Sequence, residues 1–241
     1  MRQCPPQVIE NLTANCFNSI FIKYFMKSTF QIALIPAILC LILITGCRST
    51  YYAAYEKVGV YKRDLLKKDV QKARDDQAGA QQQFKDAMTR LKAITKFDGG
   101  NLEKQYTALK EDYNGCVSRV DAVHKRVREV ETVSADLFAE WEKEIQQIGT
   151  PSLRDASRQQ LTSTRQKYDD LHAALKRAEE SMDPVLRQFN DYVLYLKHSL
   201  NAEAIASLKG ETASIQAEIS KLIDQMNTSI QHADEFVKSM K

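Results

Sequence analysis

The residue whose surroundings point most directly to chemistry is Cys47, which closes the tetrapeptide Ile44-Thr45-Gly46-Cys47. A small residue before a cysteine, directly behind an apolar run, is the arrangement of the bacterial lipobox. In the lipobox it resembles, the cysteine thiol receives a diacylglycerol, the signal is cut before the cysteine and the new amine is acylated, which implies cleavage here between Gly46 and Cys47. The run in front, Phe30 to Thr45, is 16 residues long and uncharged, with Lys27 before it. Lys27, the run and Gly46 supply the n-region, h-region and cleavage region of a secretory signal. The run falls short of the roughly 20 residues a spanning helix needs, and Pro36 interrupts it. The bland alternative is a short membrane anchor with an incidental cysteine.

The remaining candidates are weak. His124, His172, His198 and His232 are spread along the chain, without the Glu-x-x-His pairs from which di-metal helical bundles are built. Each reads most simply as a polar or interface histidine. Cys116 falls between Tyr113 and Val120 on an apolar stripe, so a buried, inert thiol is expected rather than a nucleophile. Gly99-Gly100 lacks the following Gly-Lys-Ser/Thr of a phosphate-cradling loop. Asp75-Asp76, Asp169-Asp170 and Glu179-Glu180 read as solvated faces, as do the basic pairs Lys62-Arg63, Lys67-Lys68 and Lys125-Arg126. No catalytic, cofactor-binding or metal-ligating residue is assigned. Cys47 is the one modification site, with Gly46 and Cys47 flanking the cleavage.

These residues must be positioned by a chain of 241 residues with 34 basic and 31 acidic side chains, 44% hydrophobic, with ten Tyr and nine Phe. That composition excludes a disordered chain. With 8 Gly and few alternating β-branched runs, it also argues against a β protein or a nucleotide-binding α/β fold. Lipoprotein signals run to about 20 residues, and Met26 to Gly46 supplies 21. Translation is therefore expected at Met26, not Met1, with residues 1–25 a mis-called extension, 26–46 the signal peptide, and 47–240 a lipid-anchored helical domain. Residues 1–46 hold Arg2, Lys23, Lys27 and Glu10, leaving 31 basic and 30 acidic side chains in the rest. A nucleic-acid partner loses its electrostatic support on that balance. In the lipoproteins of diderm bacteria that this arrangement resembles, an Asp after the lipidated cysteine favours inner-membrane retention; by that resemblance Arg48 implies the periplasmic face of the outer membrane.

From residue 50 the apolar positions keep the 3-and-4 spacing of a helical seam. The first seam runs Leu66, Val70, Ala73, Gln77, Ala80, Phe84, Ala87, Leu91, Ile94. The second runs from Leu102 through Leu109, Cys116, Val123, Val130 and Leu137 to Trp141. The third runs from Leu161 through Leu171, Leu175, Met182 and Phe189 to Leu196, and the last from Leu208 through Ile215, Leu222 and Phe236 to Met240. Asp98-Gly99-Gly100-Asn101, Gly149-Thr150-Pro151 and Ser199-Leu200-Asn201 break the pattern, with Asn101, Thr150 and Asn201 as N-caps and Pro151 in the first turn. The breaks leave segments of roughly 40 to 49 residues, each on the order of 60–70 Å as helix. An all-α, elongated antiparallel bundle of about four long helices with coiled-coil-like packing follows. The seam passes Pro184 in register, which favours a kinked continuous helix over a turn. Gly59, Gly79, Gly115 and Gly210 fall inside helical pattern. Tyr51, Tyr52, Tyr55 and Tyr61 suit either a membrane–water interface or the end of the bundle. Val185 to Asn201 is apolar beyond one stripe, which implies a central helix or, alternatively, a covering partner.

Tyr51 to Arg63, the Phe97-to-Leu102 turn, Leu137 to Glu142, Ser152 to Ser157 and Pro184 to Leu208 together resemble a proteobacterial domain-of-unknown-function family regarded as helical lipoproteins. The resemblance spans nearly all of residues 49–240 and implies an anchored, all-helical protein without implying an activity. The expected function is a non-enzymatic, lipid-anchored periplasmic scaffold or adaptor, with an envelope protein or a second copy as partner. The alternative is a ligand- or metal-binding bundle, with His198 and Tyr195 as its least implausible polar groups.

Overall fold

A computed structural model describes residues 51–96 and 101–240. Cys47, Gly46, the signal segment, the extension and the Asp98-Gly99-Gly100 turn lie outside the described residues. The chain divides into two units, one ending at Val60 and the other running from Tyr61.

In the first unit residues 51–56 are helical, and the helix ends at Gly59, whose φ is +77°. Val60 N–H donates to the Tyr55 carbonyl and Gly59 N–H to that of Glu56, both at 3.0 Å. This is the Schellman pairing, which needs a left-handed residue and therefore favours glycine. Gly59 thus terminates a helix rather than lying inside one, because the seam's spacing is indifferent to a stop that preserves phase. Tyr51 rests against Tyr52 and Tyr55, with ring centroids 5.5 and 4.8 Å apart.

The second unit holds four helices: α1 Lys62–Thr95, α2 Leu102–Gln147, α3 Pro151–His198 and α4 Ala202–Ser239. At 46 and 48 residues, α2 and α3 are each about 70 Å long. The Schellman stop shortens α1 to 34 residues. Asn101 and Asn201 cap their helices as expected, each accepting a 2.9 Å hydrogen bond from the backbone N–H three residues on. Thr150 occupies the N-cap of α3 ahead of Pro151, but its side chain makes no cap bond. Arg154 instead turns back and donates to the carbonyls of Ile148 and Gly149, closing the hairpin from the other side.

Each helix packs on two others: α1 on α2 and α4, and α3 on α2 and α4. The seams face the interior of this ring. Every first-seam position from Leu66 to Ile94 is buried, Gln77 included. Phe84, Phe189 and Phe236 are among the largest fully buried side chains. At Gly115 the side chain of Gln83 on α1 lies against the α2 backbone: an added Cβ would lie 2.7 Å from Gln83 Nε2. One core layer is polar, since neither end of the Gln77 amide nor the Ser229 hydroxyl has a hydrogen-bond partner among the described residues.

Pro184 lies within α3, which continues through it to His198. The expectation of a central helix after Val185 does not hold. A ring has no central member, and Leu194 and Tyr195 are 50% and 43% exposed. The excess apolar residues of that stretch face outward.

Candidate functional site

Two places gather polar chemistry. The first is an open cleft of about 450 Å³ at the end of the unit where α1 begins and α4 finishes. Its walls come from all four helices because α2 and α3 project past the start of α1 and the end of α4. Leu137, Trp141 and Met240 give it an apolar side, while Lys62, Glu140 and Thr164 give it a polar one. Lys62 Nζ lies 2.5 Å from Glu140 Oε1, tying the start of α1 to α2. Trp141, the one tryptophan of the chain, donates its indole N–H to Ser157 Oγ at 3.0 Å. That bond fixes the ring between the two projecting helices. Beside the cleft, Phe138, Ile145 and Leu161 form a small core closed by Tyr168, and Arg165 lies over the Phe138 ring at 5.2 Å from its centroid while pairing with Glu142. The arrangement offers an amphipathic ligand one aromatic wall and an ion pair at the mouth.

The second place is the α2–α3 seam. His124 Nδ1 is 2.7 Å from Glu179 Oε1, and its Nε2 is 3.3 Å from Asp183 Oδ1. Glu179 is buried and also accepts from Lys176 Nζ at 2.6 Å. Burial alone would lower the His124 pKa, but the bonds to Glu179 and Asp183 and their negative charge hold it above the ordinary value. The hydrogen bond to Glu179 raises the Lys176 pKa against the effect of burial. Farther along, His172 Nε2 meets Glu131 Oε1 at 2.8 Å and its ring stacks on Tyr168. His124 and His172 are interface histidines, as read from the sequence. His198 and Tyr195 sit on the exposed surface of the last turns of α3, and the fold brings neither into the cleft. The Cys116 thiol is fully buried, and burial, helped by Asp112 and Asp86, pushes its pKa up to about 12, so it is no thiolate at neutral pH.

Sequence reasoning placed Trp141 on a seam but not at a cleft, and it did not join His124 to Glu179 and Asp183. The lone tryptophan was the only signal for the first. For the second there was none, because the partners are 55 and 59 residues away. Among the described residues no cluster of His, Cys, Asp and Glu has the make-up of a metal site, and no helix is long and apolar enough to cross a membrane.

Residues 51–240 match the family described as protein of unknown function DUF2959. The chain belongs to this family. The DUF2959 match runs from Tyr51, four residues past Cys47, and covers all four helices of the ring. No curated protein matches the chain significantly.

Proposed function

We propose that this DUF2959 protein is a non-enzymatic, lipid-anchored scaffold or adaptor on the periplasmic face of the bacterial outer membrane. The observation that carries the reading is the Ile44-Thr45-Gly46-Cys47 sequence directly behind the apolar run and just ahead of the helical rod. Two ester-linked chains on a glyceryl group joined to the Cys47 sulfur through a thioether, and a third amide-linked to the amine, would hold such a rod firmly, since stable anchoring takes at least two lipid signals. The length of α2 and α3, 46 and 48 residues, suits a spacer. The deciding experiment is the mass of the N-terminal peptide of the protein extracted from its host's membranes. A start at an acylated Cys47 is expected. An unmodified chain starting at Met1 or Met26 would overturn the address and the function with it.

The bundle-end cleft favours one second reading, a ligand-binding bundle. Trp141 makes that reading testable by titrating small amphipathic metabolites and metal ions while following its emission and the melting temperature together. Saturable changes in both would establish binding, because a ligand of the native state stabilises it by mass action.

A further inference from the structure

We propose that α3 carries a hinge at Pro184 and that His124, reaching across from α2, is the pin that locks it. Pro184 has no N–H, so the Glu180 carbonyl loses the helical donor that would otherwise close that turn. Glu179 and Asp183 bracket the gap at i, i+4 spacing, where two like charges on one helix face repel. His124 touches both of them, at 2.7 and 3.3 Å. One side chain of the neighbouring helix therefore spans the turn whose own hydrogen bond is missing. Because ionised carboxylates only accept, both ring nitrogens must donate, and the pin is the doubly protonated imidazolium. On the opposite side a surface groove of about 240 Å³ runs between Pro184 and α4, lined also by Glu180, Ser181 and Leu222. In it the buried Gln225 Oε1 lacks a partner among the described residues. The turn is thus clamped on the α2 side and has room on the α4 side.

The charges around the pin make it respond to pH. From α3, His124 faces Glu179 and Asp183, with Lys176 on the other oxygen of Glu179. On α2 its neighbours look elsewhere, Lys125 toward Glu129 and Arg126 toward Asp69 and Asp76 of α1. From α4, Glu218 and Lys221 border the groove on the far side of Pro184. Loss of the imidazolium proton leaves Glu179 and Asp183 facing one another without a cation between them, and one of the two ring nitrogens without a hydrogen to give. The hinge is locked in acid and released as the pH rises through the titration of His124. Freed, the half of α3 that carries Leu194 and Tyr195 can change its angle to the rest.

Amide hydrogen exchange on the full chain in detergent micelles, corrected for intrinsic rates, tests this at pH 6 and pH 8.5. Residues 180–190 are expected to exchange several-fold faster at the higher pH while α2 around Cys116 does not change. His124→Gln should give the fast rate at both pH values, and adding Pro184→Ala should restore protection by returning the missing N–H. Should His124→Gln fail to fold, Asp183→Asn at an exposed position is expected to give part of the same acceleration. Equal protection of residues 180–190 at the two pH values in the wild type would overturn the proposal. So would a failure of Pro184→Ala to rescue, since His124 would then be only a contact between helices.

Discussion

The two sides of α2 are built from different charges. Toward α1 it is held by permanent cations: Arg126 to Asp76 at 3.1 Å, Arg90 to Asp112 at 2.5 Å and Lys62 to Glu140. Toward α3 the middle of the seam is held by histidines, His124 on Glu179 and Asp183 and His172 on Glu131. Arginine is effectively always charged, whereas an unperturbed histidine changes charge near neutrality. One helix thus joins a pairing that ignores pH to one in which the His124 contacts follow it, while Arg165 on Glu142 does not. The apolar core is shared by both, so the difference lies wholly in the polar margin.

The largest effect should ignore the distinction. Phe189→Ala empties a fully buried site beside Tyr113 on the α2–α3 side and should cost about 3–5 kcal/mol in denaturant unfolding, by the same amount at pH 6 and pH 8. Next comes the polar layer. Gln77→Leu removes a buried amide that has no partner among the described residues and should stabilise the bundle by about 1–3 kcal/mol at either pH. Arg126→Ala breaks the α1 side and should cost about 1 kcal/mol, again without a pH slope. The smallest effect is the one that separates the two seams. The folded state holds His124 above the usual 6.5, so its contribution is complete below that value and is lost as pH rises through the raised one. Wild-type stability should therefore decline across the neutral range and His124→Gln should decline less. Identical slopes would erase the distinction between the seams.

Much of this architecture was legible in the chain. Every seam position from Leu66 to Ile94 is buried, although Met88, buried beside Ala87, lay outside the seam, and residue chemistry identified Asn101, Pro151 and Asn201 at helix starts. What escaped has a common physical cause. Periodicity tells which face of a helix is apolar, not which helix lies across from it. The exposure of Leu194 and Tyr195 depends on the ring having no centre, and the pairing of His124 depends on how far α3 slides along α2. Gly59 escaped for another reason: its left-handed φ ends a helix without disturbing the spacing that follows. Arg154, closing the hairpin where Thr150 was expected to, shows that a long side chain can take over a terminus from the residue best suited to it. The cleft is a matter of unequal helix lengths, which only assembly reveals.

The ring also dictates an order of events during folding. Three of its four pairings join helices adjacent in the chain, but the fourth, α1 against α4, is fastened by Arg74 and Asp234, 160 residues apart. Contacts of that separation carry the greatest loop-closure entropy and are expected to form late. Until α4 arrives, the first and third helices each keep an apolar edge without cover. A chain cut short before residue 202 would therefore be a candidate for aggregation rather than a smaller bundle, and a chaperone that shields the first three helices would have its work ended by the fourth.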